Sequence, residues 1–355
     1  MKILIVRLSS IGDVIQGIPC LVALKESFPD WEISWLVEET SAPILHQHPH
    51  LTKLFVLQRP AKRNSSSSSS PAGAMAMWPL RRALRQESFD VTIDLQGLFK
   101  SGFWTLLSGA PRRIGHDRTR EGAHLFLTEV AGNRPVFDPA FCLIERYLEP
   151  ARLLGADTNK GRYVLPPPSA QTISEVNSLP GMTDTGDSTE ATRRFTVALC
   201  PWSSWPSKNW PIARWKEVAV SLARDFRVLL IGAASDLIAA DQICSNLPRV
   251  INLTGKTSLL TLAEVFRRCQ IVIGPDSGPL HLANATGVPR LIMLFGSTSW
   301  QRSGPFGNGH RSLFTDLPCQ PCFERVCPLG HLNCQQFLEV KQVLAAVHEL
   351  SGAPG

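Results

Sequence analysis

The strongest chemical signal in the sequence is the segment 270–281, where an apolar run gives way to a short polar loop. The run is broken at Gly274, and the loop after it consists of Asp276, Ser277 and Gly278. Pro279 suits the first turn of a following helix, because the first helical N–H groups have no intrahelical acceptor. Those N–H groups and the positive end of the helix dipole favour an anion such as a diphosphate.

His281 lies on the first turn of this predicted helix and therefore faces the same loop. In a doubly wound α/β sheet such a loop lies at the carboxyl ends of the strands, where ligands usually bind. The alternative is an ordinary strand-to-helix turn that Asp276 or Ser277 caps. We favour the ligand-binding interpretation.

A second polar loop, residues 200–211, follows a predicted strand and precedes a helix. Ser203 and Ser204 offer hydroxyl groups, and Lys208 offers a mobile point charge that suits a phosphate. With the helix start at Ser277, this charge could offset a departing diphosphate without a metal ion. The alternative is an exposed lysine beside packed aromatic residues.

Asp13 stands between the first predicted strand and the helix that follows it. Taken alone, this position suggests a helix cap. A carboxylate facing a cleft could instead accept the proton of an acceptor hydroxyl while that oxygen attacks a sugar carbon.

The elements that must position these loops alternate between apolar strands and amphipathic helices, which predicts an α/β fold with doubly wound parallel sheets. We predict an N-terminal domain over 1–165, a Pro- and Ser-rich linker over 166–194 and a C-terminal domain over 195–334. A last helix within 335–355 carries an apolar stripe that could pack back on the N-terminal domain. The G-x-G-x-x-G pattern of nicotinamide-binding proteins is absent after the first strand.

The composition is that of a globular protein, with 44% hydrophobic and 19% charged residues among 355. The net charge of +6 fits an acidic partner but is far below that of a dedicated nucleic-acid binder, so we expect no nucleic acid. No apolar run is long enough to span a membrane, and Arg7 interrupts the only N-terminal candidate for a signal peptide. We therefore expect a cytoplasmic protein with reduced thiols.

A low-complexity serine run, Ser65–Ser70, is surrounded by basic residues. These are Arg59, Lys62, Arg63, Arg81, Arg82 and Arg85. They form either a solvated loop and helix face or a flexible lip that meets phosphate groups on a substrate or a membrane surface.

Four cysteines lie close together near the C-terminus, with His310 and His331 nearby. Their pattern is Cys319-x2-Cys322-x4-Cys327-x6-Cys334. The residue types suit a structural zinc or iron–sulfur site, although the spacing is not that of a standard knuckle. The alternative is a set of loosely packed thiols.

Four motifs, in this order, resemble the bacterial heptosyltransferases of glycosyltransferase family 9. They are Ser9-Ser-Ile-Gly-Asp13, Asp94-Leu-Gln-Gly-Leu-Phe-Lys-Ser101, Lys208-Asn-Trp-Pro211 and Asp276-Ser-Gly-Pro-Leu-His281. The likeness spans nearly the whole chain, and its first two motifs look most like the heptosyltransferase I group. It departs from the family pattern in the serine-rich insertion, in the long linker and in having Ser277 where Thr is common.

The resemblance implies a GT-B fold, in which two Rossmann-like domains face a cleft and the C-terminal one holds the nucleotide-sugar. It implies inverting transfer of heptose from ADP-heptose to the Kdo–lipid A inner core of lipopolysaccharide, with no cofactor and no catalytic metal. The acceptor would be a lipid-linked acidic core oligosaccharide at the inner leaflet of the cytoplasmic membrane, contacted peripherally.

The resemblance also implies roles for individual residues. Asp13 matches the general base. Donor binding falls on Ser203, Ser204, Lys208, Asp276, Ser277, Gly278 and His281, and acceptor binding on Lys100, Arg118 and Arg120. The alternatives that stay open are a heptosyltransferase II-type acceptor, another nucleotide-sugar enzyme such as an epimerase, and a non-catalytic sugar-nucleotide binder.

Overall fold

The computed structural model describes residues 1–58, 72–116, 120–135, 138–182 and 195–352, without the side chains of 72–77. Within these ranges the chain forms two compact units, Met1–Pro166 and Pro167–Gly355. The predictions for Ser65–Ser70, Arg118 and linker residues 183–194 lie outside the described residues, as do those for Arg59, Lys62 and Arg63.

The first unit is built on a parallel six-stranded sheet with the order β3-β2-β1-β4-β5-β6. Its strands are β1 (Lys2–Val6), β2 (Glu32–Glu38), β3 (Lys53–Leu57), β4 (Val91–Asp94), β5 (Arg112–His116) and β6 (Glu129–Ala131). Its helices are α1 (Ile11–Ser27), α2 (Ala72–Gln86), α3 (Phe99–Leu107) and α4 (Leu143–Leu153). The strand order reverses between β1 and β4, so the loops after these two strands flank the usual ligand position of a doubly wound sheet.

The second unit repeats this plan, with the order β12-β11-β10-β7-β8-β9. Its strands are β7 (Thr196–Leu199), β8 (Arg227–Leu230), β9 (Val250–Asn252), β10 (Ile271–Pro275), β11 (Arg290–Phe295) and β12 (Arg311–Phe314). Its helices are α5 (Ala170–Ser178), α6 (Ile212–Leu222), α7 (Leu237–Cys244), α8 (Leu259–Arg267), α9 (Gly278–Ala285), α10 (Trp300–Ser303), α11 (Asn333–Gln336) and α12 (Val340–Ser351). Here the order reverses between β7 and β10.

The central strands of both sheets are buried on both faces, which explains their continuous apolar runs. Residues 3–6 of β1 and 271–273 of β10 are fully inaccessible to solvent. Both sheets are therefore rigid platforms for the loops at their carboxyl ends. None of the helices in the described ranges is long and apolar enough to cross a bilayer.

The linker prediction did not anticipate helix α5, which lies inside the stretch 166–194. Ser169 caps this helix by accepting the N–H of Thr172 at 3.1 Å. The hydroxyl of Thr261 in α8 donates to Glu175 of α5 at 2.9 Å, and only two α5 side chains are buried, those of Thr172 and Val176. Most of the other residues of the helix are exposed and polar, and this composition resembles that of a linker.

The predicted last helix begins later than its apolar pattern indicates. Leu338 is fully buried outside the helix, and its carbonyl accepts the indole N–H of Trp210 at 3.0 Å. Helix α12 then buries Val343 and Val347 in the core of the second unit. The sequence left open whether the apolar stripe of this helix packs on the N-terminal domain. The core of the second unit already covers the stripe, so that packing is not needed.

Candidate functional site

The loop between β10 and α9 forms the first part of the candidate site, at the point where the strand order of the second sheet reverses. Strand β10 ends at Pro275, and α9 begins at Gly278 with Ser277 in the extended N-cap position. The predicted strand, loop and helix are therefore present. The loop after β7, residues 200–211, starts from the neighbouring strand, so both predicted polar loops lie at the same sheet edge.

A buried carboxylate organises this edge. Lys208 Nζ donates to Asp276 Oδ2 at 2.9 Å and to the Asp276 carbonyl oxygen at 3.1 Å. His281 Nε2 lies 2.9 Å from Oδ1, and the Ser303 hydroxyl donates to Oδ2 at 3.1 Å. Burial favours a higher pKa for Asp276, but the charge of Lys208 and the hydrogen bond to His281 hold that pKa well below its usual range. Asp276 is therefore an ionised anchor.

Lys208 is held in place, which differs from the mobile charge expected from the sequence. It ends a short turn, Pro206–Lys208, and its ammonium lies 4.8 Å from the ring centroid of Trp205. Only 13% of its side chain is exposed. The physical reason is the pairing with Asp276, since a buried carboxylate without a cation would be costly.

Ser277 has a buried hydroxyl that makes no cap hydrogen bond to α9, so the capping alternative does not account for it. Among the described residues, the structure offers this hydroxyl no hydrogen-bond partner. Thr298, on the loop after the adjacent strand β11, also has a buried hydroxyl without a described partner. Buried polar groups are normally satisfied, so each of these hydroxyls retains the capacity to bond to a further group such as a ligand.

Ser203 and Ser204 lie on the loop that leads to Lys208. The Asn209 side chain closes this loop, because its Oδ1 accepts the Ser203 N–H at 2.7 Å and its Nδ2 donates to the Ser203 carbonyl at 3.2 Å. Ser204 is exposed, and its carbonyl accepts from Arg325 at 3.3 Å. The Ser203 hydroxyl accepts the N–H of Trp205 at 3.3 Å. Both serines therefore stand in the loop that leads to Lys208, at the edge of the sheet.

No motif or spacing pointed to Ser207, whose backbone and side chain both anchor this loop. Its hydroxyl lies 2.8 Å from the Ser297 hydroxyl and donates to the Glu324 carbonyl at 2.6 Å. Its N–H donates to the Arg325 carbonyl at 3.3 Å, and its own carbonyl accepts from Gln335 at 3.3 Å. The anchoring role of this buried serine becomes evident only from contacts with residues that are distant in the sequence.

Asp13 lies in the first unit, in the first turn of the helix that follows β1. It is the third residue of α1, and its Oδ2 accepts the N–H of Ser10 at 3.1 Å and the Ser10 hydroxyl at 2.7 Å. Arg7 Nη2 lies 2.9 Å from the same oxygen. Asp13 therefore belongs to a capping box, as the simpler interpretation expected. Its side chain is still 32% exposed, so the carboxylate remains accessible to a substrate.

Arg7 and the Asp94–Ser101 motif fix the loop that leads from β1 to Asp13. Arg7 donates to the Leu95 carbonyl at 3.2 Å and lies 5.4 Å from the ring centroid of Tyr147. The Gln96 side chain accepts the N–H of Leu8 at 2.8 Å. Asp94 is buried, and burial raises its pKa. The second family-like motif therefore ties the loop after β4 to the loop after β1.

The predicted acceptor residues are only partly described. Lys100 Nζ lies 2.6 Å from Oε1 of Glu38, whose side chain is only 4% exposed, while that of Lys100 is 52% exposed. Arg120 is exposed, and its N–H donates to the Gly97 carbonyl at 3.1 Å, so it stands beside the same loop. Arg118 lies outside the described residues. Lys100 and Arg120 thus share one sheet edge with Asp13.

Comparison with known proteins gives consistent results. The model of glycosyltransferase family 9 (heptosyltransferase) matches residues 77–333. Lipopolysaccharide heptosyltransferase 1 of Pseudomonas aeruginosa is 29% identical over 329 residues, which cover 92% of this chain and 87% of that protein.

Solved structures share the architecture of the whole chain. A family 9 glycosyl transferase from Veillonella parvula has a TM-score of 0.79 at 19% identity, covering 98% of this chain and 96% of its own. The E. coli heptosyltransferase WaaC with ADP has a TM-score of 0.72 at 25% identity, covering 99% of this chain and all of its own. With the two parallel six-stranded sheets, these likenesses identify the α/β fold as GT-B.

Proposed function

Because the chain belongs to glycosyltransferase family 9, the heptosyltransferase family, we propose that it transfers heptose from ADP-heptose to the Kdo–lipid A inner core of lipopolysaccharide. Family membership makes it a glycosyltransferase; the donor, the acceptor and the inverting course are the proposal. The observation that carries the proposal is the loop before α9. There a buried Ser277 hydroxyl, for which the described part of the chain offers no hydrogen-bond partner, stands at a helix start beside the Lys208–Asp276–His281 network.

The donor diphosphate binds, in this proposal, at the start of α9. The helix terminus supplies N–H groups and about half a positive charge, and the Ser277 hydroxyl supplies a further donor. Asp276 largely neutralises Lys208 in the resting site, so the ammonium is not a free charge. When the diphosphate departs and gains charge, Lys208 can share its hydrogen bonds between Asp276 and the leaving group. Asp276 and His281 then act as positioning residues.

Asp13 is the proposed base. The acceptor hydroxyl oxygen attacks the anomeric carbon from the face opposite the diphosphate, a carbon–oxygen bond forms, and the bond to the diphosphate oxygen breaks. The hydroxyl proton passes to the Asp13 carboxylate, and ADP leaves with the electron pair. Attack on the opposite face inverts the configuration at that carbon. Arg7 and Ser10 support this role because they hold the carboxylate at the sheet edge.

The acceptor and the membrane involve the first unit. We propose that Lys100, Arg118 and Arg120 contact acidic groups of the lipid-linked core sugar. Helix α2 exposes 63% of Trp78, with Arg81 stacked 5.1 Å from its ring centroid. Arg82 and Arg85 are exposed on the same helix. Arginines beside an exposed tryptophan are typical of a peripheral contact with an anionic leaflet, here the cytoplasmic face of the inner membrane.

The proposal is tested by incubating the purified protein with ADP-heptose and Kdo–lipid A and analysing the product by mass spectrometry. We expect one added heptose and release of ADP, with an inverted anomeric centre by NMR. Parallel reactions use heptosyl-Kdo–lipid A as acceptor, or donor alone. Preference for heptosyl-Kdo–lipid A over Kdo–lipid A would indicate a heptosyltransferase II-type acceptor. Conversion of donor without acceptor would indicate an epimerase and overturn the proposal.

A further inference from the structure

Helix α3 in the first unit turns hydroxyl-bearing side chains toward the core and apolar side chains toward solvent. Ser101 and Thr105 are fully buried, and they share the inward side with Trp104. On the outward side, Phe99 is 54% exposed and Leu106 is 41% exposed. A surface helix normally directs its apolar stripe to the core and its polar face to water. Packing of the first unit alone therefore does not account for the outward residues of α3.

The inward hydroxyl groups serve the fold. Ser101 donates to Asp94 Oδ2 at 3.0 Å and so holds the loop after β4. Ser108, just after the end of α3, has its hydroxyl 2.8 Å from that of Thr92 in the same strand. Buried polar groups are tolerated when they are hydrogen-bonded. The polar interior of the helix thus has a structural reason, whereas its apolar exterior needs another one.

The outward aromatic residues lie together. The rings of Phe99 and Phe103 are nearly parallel, with centroids 6.4 Å apart. Phe126, in the short turn Ala123–Phe126, meets the Phe99 ring edge-on at a centroid distance of 5.2 Å. Gly102 permits the close approach of Phe126, because a β-carbon at that position would lie 2.5 Å from the ring. Helix α3 and the turn therefore present one continuous aromatic surface.

Two leucines extend this surface. Leu106 follows Phe103 by three positions and Phe99 by seven, so it lies on the same side of the helix. Leu125, next to Phe126 in the turn, is 78% exposed. We call Phe99, Phe103, Leu106, Leu125 and Phe126 the α3 patch. Contiguous exposed apolar residues, unlike scattered ones, mark sites of contact with a partner or a membrane.

Basic side chains border the α3 patch at both ends of the helix. Lys100 stands at the start of α3, and 52% of its side chain is exposed. The exposed Arg120 lies beside the loop that precedes α3, because its N–H donates to the Gly97 carbonyl at 3.1 Å. At the other end, the guanidinium carbon of Arg85 would lie 3.5 Å from a β-carbon at Gly109, just beyond α3. Cations thus flank the apolar residues.

Arg85 connects the α3 patch to the exposed basic residues of α2. Leu84 of α2 and Trp104 of α3 belong to one buried cluster, so the two helices are neighbours. Helix α2 also carries the exposed Trp78 and Arg82. An apolar centre and a basic border therefore form adjoining parts of one surface of the first unit.

We propose that the α3 patch docks on an anionic lipid bilayer, where its apolar side chains enter the acyl region and the bordering cations contact lipid phosphates. Charge complementarity favours this occupant. The bordering side chains named above are basic, and the acidic Glu121 also lies against the patch, where its Oε2 accepts the Phe99 N–H at 3.3 Å. Apolar side chains beside Lys and Arg are the arrangement by which interfacial helices bind anionic membranes.

The choice of a bilayer rests on the proposed function, in which the acceptor is lipid-linked. The inference goes beyond the contact proposed for α2, because it assigns insertion into the acyl region to a different helix and to residues outside the family-like site.

The test is flotation of the full-length protein with vesicles of phosphatidylethanolamine and phosphatidylglycerol, in parallel with neutral phosphatidylcholine vesicles. We expect binding to the anionic vesicles to be at least about tenfold tighter. The double variant Phe99→Ser with Leu106→Ser should weaken that binding by about tenfold or more, because two inserted side chains are lost. The control is Leu153→Ser in α4, at a leucine that is 47% exposed outside the patch, which should bind as the wild type does.

Equal binding of the double variant and the wild type to anionic vesicles would overturn the inference, even if substitution of the α2 arginines abolished binding. A wild-type dimer in light scattering that the double variant turns into a monomer would also overturn it, because a second copy would then be the occupant. Should the double variant misfold by circular dichroism, Leu125→Ser serves in its place, since so exposed a side chain tolerates replacement. Unchanged binding by that variant would count equally against the α3 patch.

No donor or acceptor enters these measurements. Absence of wild-type binding to anionic vesicles would overturn this inference and the membrane contact proposed for α2, but not the transfer reaction. Absence of transfer, with vesicle binding as expected, would overturn the proposed function alone.

Discussion

The two units place an aspartate after a central strand of similarly ordered sheets but surround it with different chemistry. Asp13 is 32% exposed and is held at one oxygen by Ser10 and Arg7. Asp276 has only 6% of its side chain exposed and is bound by Lys208, His281 and Ser303. An accessible carboxylate can take up a proton from a substrate, whereas a buried carboxylate locked by a cation holds its neighbours in position. This difference agrees with the proposal that the base lies in the first unit and the anchor of the donor site in the second.

The largest expected effect concerns turnover by Asp13→Asn. The amide still accepts hydrogen bonds from Ser10 and Arg7 but cannot accept the acceptor proton. We expect the transfer rate to fall by about 10²–10⁴-fold, the usual contribution of a general base. The matched control is Asp30→Asn, at an exposed aspartate of the same unit, which should transfer at the wild-type rate. Undiminished turnover by the Asp13 variant would remove this residue from the reaction.

The next effect is on stability, in the variant Asp276→Asn. Removing the carboxylate leaves the Lys208 ammonium buried without its counter-charge. Breaking one partner of a buried pair usually lowers the free energy of unfolding by about 3–5 kcal/mol. Urea denaturation followed by circular dichroism measures this, and Asp225→Asn, at an exposed site in the same unit, should change it by less than about 0.5 kcal/mol. Equal stability of the two variants would mean that Asp276 is no anchor.

A third prediction concerns acid lability in the first unit. Burial lowers the pKa of His116 to about 4 from 6.5, so between these pH values the unfolded chain binds a proton that the folded chain excludes. Stability contributed by neutral His116 is thus present above about pH 6.5 and declines as pH falls, by up to about 3 kcal/mol at pH 4. Denaturation between pH 7 and pH 4.5 should show this slope. His116→Gln should reduce the slope but not abolish it, because burial also lowers the pKa of His48 to about 4. An unchanged slope would contradict the role of His116.

The smallest effect separates binding from stability at Ser277. Because its hydroxyl is buried without a described partner, Ser277→Ala should leave the unfolding free energy unchanged or slightly raised. The same variant should bind ADP about tenfold more weakly, since one hydrogen bond to a charged group is worth about 1.5 kcal/mol. Calorimetric titration with ADP measures the second value. Ser204→Ala, which removes an exposed hydroxyl of the neighbouring loop, tests by the same titration whether that serine also binds the donor.

The features that could be predicted from the sequence are those encoded by residues close together in the chain. Apolar runs ending in Gly, Pro and Asp gave both sheets and the loops at their edges, and four ordered motifs gave the family, the fold and the enzyme class, all confirmed. The roles of individual site residues stay predictions. The helix-capping pattern also placed Asp13 at the start of α1. There the same carboxylate bonds to the helix N-terminus and is the proposed base.

What could not be predicted depends on contacts between distant parts of the chain. Lys208 and Asp276 are 68 positions apart, and Lys100 and Glu38 are 62 apart, so neither pair follows from any periodicity. The hydrogen-bond partners of Ser207 are still farther away in the sequence, at separations of 90, 117 and 128 positions. Helix α5 was missed because a nearly fully exposed helix has the polar composition of a linker.

The division of labour between the two aspartates is tested most directly by calorimetric binding of ADP to Asp13→Asn and Asp276→Asn beside the wild type. If Asp276 anchors the donor site and Asp13 acts only on the acceptor, the Asp13 variant binds ADP as the wild type does. The Asp276 variant then binds at least about tenfold more weakly, because Lys208 is no longer held where it can donate a charge-assisted hydrogen bond to the diphosphate. Weakened binding by the Asp13 variant, with unchanged binding by the Asp276 variant, would contradict the account.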